Sequence, residues 1–224
     1  MMNFQVAIDG PAGSGKSSVS KIVSKALGFT HIDTGAMYRA VTLEALKRKI
    51  DLNDEHAYSF LNELDLRLEH EKIYLNGQDV SKKIRSLEVT RNVSLVSSHK
   101  FVREKMIELQ KNIALKGCVL MDGRDIGYNV LPNANIKIFL TASSEKRALR
   151  RYMELEEKEN VNIKDIQKEI ELRDYMDSNR KINPLKKASD AILLDTTDLS
   201  IDEVCDCIIK LIKDGMENAK RCNE

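Results

Sequence analysis

Residues 10–17 read Gly-Pro-Ala-Gly-Ser-Gly-Lys-Ser, so Gly10, Gly15, Lys16 and Ser17 fill every fixed position of the pattern G-x-x-x-x-G-K-[ST]. The surroundings give the match physical meaning. An apolar run over residues 4–8 ends at Asp9-Gly10-Pro11 and reads as a strand. After the loop, Val19, Ile22, Val23, Ala26 and Leu27 recur at helical spacing until Gly28 stops the pattern. In a strand–loop–helix of this kind the glycines let successive N–H groups turn inward, and the helix N-terminus adds partial positive charge. Gly10, Pro11, Ala12, Gly13, Ser14, Gly15, Lys16, Ser17 and the following Ser18 are therefore expected to cradle phosphates. Lys16 is expected to reach the β- and γ-phosphates, and the Ser17 hydroxyl to ligate Mg²⁺.

The rest of the chain alternates in the same way. Strands are expected at 29–33, 119–121, 136–140 and 192–194, and helices at 36–49, 89–96, 102–115, from 144, from 163 and over 201–212. Strands alternating with helices imply an α/β domain built on a parallel sheet. One stretch breaks the rhythm: Leu66, Leu68, Ile73 and Leu75 alternate with period two and lead to Asn76-Gly77, a hairpin turn signal. It reads as an insertion outside the sheet. No internal repeat or Pro/Gly/Ser linker divides the 224 residues.

Composition removes whole classes. Lys and Arg total 36 against 35 Asp and Glu, a net charge of +1, so any anion affinity comes from local arrangement and no nucleic-acid polymer is expected as a partner. No apolar run reaches the ~20 residues of a membrane span. The N-terminus lacks a basic start before an apolar stretch, so a cytoplasmic protein is expected. Cys118, Cys205, Cys207 and Cys222 have no zinc-like spacing and read as reduced thiols, with no metal site of the chain's own.

A phosphate loop alone does not separate a switch, a motor and a kinase. Neither Asp-x-x-Gly nor [NT]-K-x-D occurs, which removes the regulatory GTPase. What remains is a set of polar residues at strand ends and on helices. Asp33-Thr34-Gly35-Ala36-Met37-Tyr38-Arg39 starts where a strand ends, the edge at which open α/β sheets bind ligands. Thr34 reads either as a helix N-cap or as part of that site, and Arg39 as a phosphate clamp or a solvated side chain. Asp122-Gly123-Arg124-Asp125 follows a strand on the same edge, as ligand groups or as a loop salt bridge. Arg147, Arg150 and Arg151 share one helix face, either paired to Glu154 and Glu157 or turned to a ligand. Arg173, Asp177 and Arg180 repeat the spacing on the next helix, and the two helices together suggest a lid over polyphosphate.

Together these runs resemble the bacterial cytidylate kinases. The resemblance is carried by GPAGSGKSS (10–18), IDTGAMYR (32–39), MDGRDIG (121–127), RDYMDSNR (173–180) with PL (184–185), and SDAILLDTTDLSIDEV (189–204). It implies a P-loop NTPase-type parallel sheet flanked by helices, with a monophosphate-binding insertion and a helical lid. The core is expected at about 1–60, 98–145 and 182–216, the insertion at about 61–97 and the lid at about 146–181. It implies phosphoryl transfer from ATP, with Mg²⁺, to CMP and dCMP by a monomer. Lys16, Arg124, Arg173 and Arg180 would act at the transferring phosphoryl, and Arg150 on the ATP side. Thr34, Tyr38, Arg39, Arg124 and Arg180 would surround the acceptor's phosphate, with Arg173 and Asp177 lining the same site and Asp177 near the sugar. Ser94, Arg103 and Asp125 would meet the base, where a carboxylate accepts the cytosine amine and an Arg satisfies N3 and O2. The chain departs from the family at Tyr128-Asn129, where Thr-Val is usual, and at Thr34, where Ser is also common. Another small P-loop kinase, acting on UMP, AMP or a non-nucleotide acceptor, and a P-loop module that holds ATP without turnover are the alternatives.

Overall fold

In a computed structural model of the chain, residues 3–69, 72–115, 117–155 and 162–221 are described. Cys222, Glu157, Lys116 and part of the expected lid, residues 156–161, lie outside them. Five strands form one parallel sheet: β1 (Gln5–Asp9), β2 (Thr30–Asp33), and, past a small second sheet, β6 (Val119–Gly123), β7 (Ile136–Thr141) and β8 (Ile192–Asp195). Their order across the sheet is β2-β6-β1-β7-β8, so β1 lies in the middle and its C-terminal end opens into the phosphate loop. β6 aligns Asp122 beside Ile8 and Gly123 beside Asp9, which brings the two ligand-bearing strand ends level.

The pleat sorts the core. Val6, Ile8, Leu120, Ile138 and Leu140 point to one face and pack with Val19 and Val23 of α1 (Lys16–Leu27) and Val204, Ile208 and Ile212 of α7 (Ile201–Arg221). Ala7, Ile32, Val119 and Met121 point to the other. There they meet Met37, Ala40 and Val41 of α2 (Thr34–Lys47), Val93 and Val96 of α3 (Leu87–Val96), and Val102 and Met106 of α4 (Lys100–Ala114). The second sheet, β3 (Leu66–Glu69), β4 (Lys72–Leu75) and β5 (Gln78–Asp79), is antiparallel and stands apart from the main one. Its Leu66, Ile73 and Leu75 join the same core. Asn76 and Gly77 take φ of 49° and 78°, the left-handed pair that a tight turn between β4 and β5 requires.

Helices α5 (Ser144–Leu155) and α6 (Ile163–Asn179) pair with each other around a small core of Ala148, Ile166 and Ile170. Two sequence expectations need correction. The cap of α2 is Asp33, whose carboxylate accepts from Ala36 N–H at 2.7 Å, whereas Thr34 Oγ1 donates to the Asp122 carbonyl. The last helix runs to Arg221 rather than stopping near 212. Gly215 lies within it at a close crossing, where a Cβ would come 2.8 Å from Ile136 Cδ1, so here glycine serves packing and not termination.

The loop leaves β1 through a position only glycine fills. Gly10 has φ of 154°, and a Cβ there would stand 2.0 Å from the Leu140 carbonyl oxygen; Gly15 has φ of 87° but open space around it. Gly10→Ala is expected to cost about 3 kcal/mol or more, through strain plus a backbone clash, and Gly15→Ala only about 1 kcal/mol. Urea midpoints of the two variants at equal m-value check the order.

Candidate active site

The structure brings the expected residues together at the C-terminal ends of β1, β2 and β6. Lys16 is buried and donates to the Pro11 carbonyl at 2.6 Å and to Ser14 Oγ at 3.1 Å; Ser14 in turn donates to Pro11. Burial first, then the guanidiniums of Arg124 and Arg173, push the Lys16 ammonium well below its ordinary pKa. Arg173 is pushed down to about 10, by burial and then by Arg124. Among the described residues its Nε has no hydrogen-bond partner, and neither has that of Arg39. With the Arg124 guanidinium lowering both Lys16 and Arg173, the three cations form a strongly anion-seeking site.

Carboxylates divide this charge into two groups. On one side, Arg124 Nε donates to Asp177 Oδ2 at 2.9 Å, and Ser94 Oγ to Asp177 Oδ1 at 3.3 Å. Burial alone would raise the Asp177 pKa, but Arg124, Arg173 and Arg180 hold it below the usual carboxylate range. Asp33 likewise stays low against burial, through Arg39 at 3.1 Å and the Ala36 N–H. On the other side, Asp125 pairs with Arg103 at 2.6 Å, side chains 5% and 1% exposed. Arg180 Nη2 reaches Asp125 Oδ1 at 3.2 Å, and the Arg103 guanidinium lies 5.5 Å from the Tyr38 ring centre. Arg180, expected near the acceptor's phosphate, thus stands on the Asp125 carboxylate, with its Nε donating to the Asn183 carbonyl.

Ser17 Oγ donates to Asp122 Oδ2 at 2.8 Å, while Asp122 Oδ1 lies 2.6 Å from His31 Nε2. The partnership of Asp122 and His31 was not read from the sequence. MDG at a strand end hinted at the carboxylate, and nothing singled out the histidine. Thr34 is buried beneath Asp122, and Ser18 is exposed at the start of α1.

The three α5 arginines separate. Arg147 is buried, donating to the Ala12 carbonyl at 2.7 Å and to Asp174 Oδ2 at 2.5 Å, and Asp174 Oδ1 accepts from Ala12 N–H. α5 and α6 thereby grip the first arm of the phosphate loop, through a carboxylate the spacing rules did not flag. Arg150 donates to the Thr196 carbonyl and hydroxyl after β8, and only Arg151 makes the surface pair with Glu154. At the departure from the family pattern, Asn129 Nδ2 donates to Asp125 Oδ2 at 2.8 Å and Tyr128 Oη to the Pro184 carbonyl.

The Arg103–Asp125 pair sets up a stability test. Arg103→Met strands a buried carboxylate that keeps two weaker partners, a loss of about 2 to 3 kcal/mol, while Arg103→Met with Asp125→Leu recovers most of it. Denaturant midpoints of the wild type, the single variant and the double variant check this.

Comparison with known proteins follows from this geometry. The family profile for cytidylate kinase matches residues 6–214. The cytidylate kinase of Lactobacillus johnsonii is 53% identical over 221 residues, covering 96% of each chain, and that of Acholeplasma laidlawii 51% identical over 217, covering 95% of this chain and 96% of its own. A crystal structure of a gluconokinase from Sinorhizobium meliloti superposes with a TM-score of 0.52 at 13% identity, covering 99% of this chain and 98% of its own, a likeness of fold alone. A profile spanning nearly the whole chain, together with relatives sharing half of its residues, makes this protein a member of the cytidylate kinase family.

Proposed function

We propose that the chain transfers the γ-phosphoryl group of ATP to CMP and dCMP, giving ADP and CDP or dCDP. One observation carries this reading: neighbouring residues Arg124 and Asp125 turn to different partners, Arg124 to Asp177 beside the cation cluster and Asp125 to Arg103 in a buried polar pocket. A ligand with a phosphate at one end and a base at the other spans that step. Cytosine offers an amine N–H to Asp125, and its N3 and O2 accept from Arg103. Uracil would set a carbonyl against a carboxylate with no proton between them, and a site built on one hydrogen bond strongly rejects the analogue lacking it.

The residues then divide the work. Gly10 to Ser18 and Arg150 hold ATP; Lys16, Arg124 and Arg173 neutralise charge as the phosphoryl group moves between oxygens in line, while Arg180 stands on the Asp125 carboxylate. Thr34, Tyr38 and Arg39 close the acceptor's phosphate end, with Asp177 near the sugar and Ser94, bonded to it, joining Arg103 and Asp125 at the base. No general base is needed, because the attacking phosphate oxygen is already ionised. The hydroxyl and carboxylate oxygens of Ser17 and Asp122 suit Mg²⁺, which needs few protein ligands; they would hold it as it arrives with ATP, and it would supply positive charge to the polyphosphate.

The domain reading is a core at about 1–60, 98–145 and 182–216, a monophosphate-binding insertion at about 61–97 and a lid at about 146–181. The separate antiparallel sheet and the small α5–α6 core support that division. A monomer in the cytoplasm fits a site drawn from one chain and free thiols at Cys205 and Cys207. No helix among the described residues is long and apolar enough to cross a membrane.

ADP release from Mg-ATP with CMP, dCMP, UMP, AMP or GMP tests the reading: turnover is expected with CMP and dCMP and little with the rest. Turnover confined to another acceptor would discard the base-reading residues, and ADP formation in no case would leave a different acceptor or a non-catalytic module. Lys16→Met is expected to lower kcat by at least about a thousandfold with an unchanged melting temperature. Asp125→Asn is expected to collapse the CMP/UMP ratio of kcat/KM, because an amide can donate to the uracil carbonyl.

A further inference from the structure

Among the described residues Asp125 carries three side-chain donors. Oδ2 accepts from Arg103 Nη2 at 2.6 Å and from Asn129 Nδ2 at 2.8 Å, and Oδ1 accepts the longer contact from Arg180 Nη2 at 3.2 Å. A carboxylate offers about four lone-pair positions, so the one left over belongs to Oδ1. Asn129 therefore completes the set on Oδ2 and leaves the other oxygen as the place for a ligand N–H.

The backbone explains how Asn129 gets there. Residues 126–130 form a wide π-helical turn directly after β6, in which Asn129 N–H donates to the Asp125 carbonyl and Val130 N–H to the same atom at a longer distance. Asp9 fixes the start of that turn by accepting from Ile126 and Gly127 N–H. In a turn so held, the side chain four residues after Asp125 lies over its carboxylate. Because an ionised carboxylate only accepts, the amide must present its NH₂ group, which settles its orientation.

We infer that Asn129 is a positioning residue for base discrimination: by donating to Oδ2 it keeps the Asp125 carboxylate turned so that Oδ1 faces the base, where it accepts the amine of cytosine and rejects the carbonyl of uracil. The inference rests on Asp125 reading the base. Its physical content is orientation: a carboxylate anchored at one oxygen by Arg103 and Asn129 presents the other at a fixed place, whereas one left to turn tells the two bases apart less sharply. Asn129 supplies a neutral donor to that anchor and adds no charge to the pocket. A residue acting in this way changes which base is accepted far more than how fast phosphoryl transfer proceeds.

The test is the CMP/UMP ratio of kcat/KM, which does not depend on the folded fraction and so is unmoved by a merely structural loss. Asn129→Leu keeps the shape and removes the donor, and Asn129→Ala serves if leucine crowds the turn. Asn129→Asp replaces the donor with a second carboxylate, which repels the first from its place. The ratio is expected to fall about three- to tenfold without the amide and further in Asn129→Asp, with kcat for CMP changing less than the ratio. A ratio unchanged in all the Asn129 variants, while Asp125→Asn lowers it, overturns the role of Asn129. A ratio moved by neither set overturns the base reading at Asp125 and this inference with it.

Discussion

Asp9 ends β1 one residue before the phosphate loop, and its buried carboxylate accepts from both Ile126 and Gly127 N–H, at 2.8 and 2.7 Å. Those two amides begin the turn that follows Arg124 and Asp125. A single side chain thus ties the strand that delivers the phosphate loop to the turn that delivers the acceptor-facing residues. Burial pushes Asp9 up to about 7, against the two N–H donors that favour its ionised form. Relative to an unfolded carboxyl near 3.8, such a group adds most stability below about pH 4, and that contribution is lost as pH rises towards 7. The cost is borne at the one junction where both halves of the site must keep their register.

The gripping of the loop by α5 and α6 follows a similar logic. Asp174 on α6 accepts from Ala12 N–H, and Arg147 on α5 donates to both Ala12 and Asp174. Arg173, the neighbour of Asp174 in sequence, is thereby carried to the cluster around Lys16. The mutual repulsion of Lys16, Arg124 and Arg173 is tolerable because Asp177 and Asp122 stand close by, and a bound phosphate chain would relieve it further.

Much of the fold was legible because its signals are local. Strand–loop–helix punctuation at Gly10 to Gly28, period-two alternation in Leu66 to Leu75 and the Asn76-Gly77 turn all depend on residues adjacent in the chain. The family resemblance supplied most of the site. What escaped depends on backbone partners or distant packing. Thr34 looked like a cap because threonine often is one, yet Asp33 beside it makes the stronger acceptor and Thr34 is needed by the Asp122 carbonyl. The last helix was expected to stop near 212, and only the passage of α7 over Ile136 shows why Gly215 lies inside it. Asp174 bonds a backbone amide 162 residues away, for which no side-chain pattern exists. Asn129 stood out as a departure from the family, but its use required seeing Asp125.

The pairing of α5 with α6 has a thermodynamic consequence. The sheet has a packed layer on each face, whereas among the described residues the core of these helices is Ala148, Ile166 and Ile170 with Tyr152 half-buried against them, and Leu172 and Tyr175 are left in solvent. A segment held by so little buried apolar area is a separate cooperative unit, whose opening costs a fraction of global unfolding. Amides of α5 and α6 would therefore exchange with solvent long before those of β1 or β6, and nucleotide binding would slow that exchange in α5 and α6 while leaving the sheet as it was.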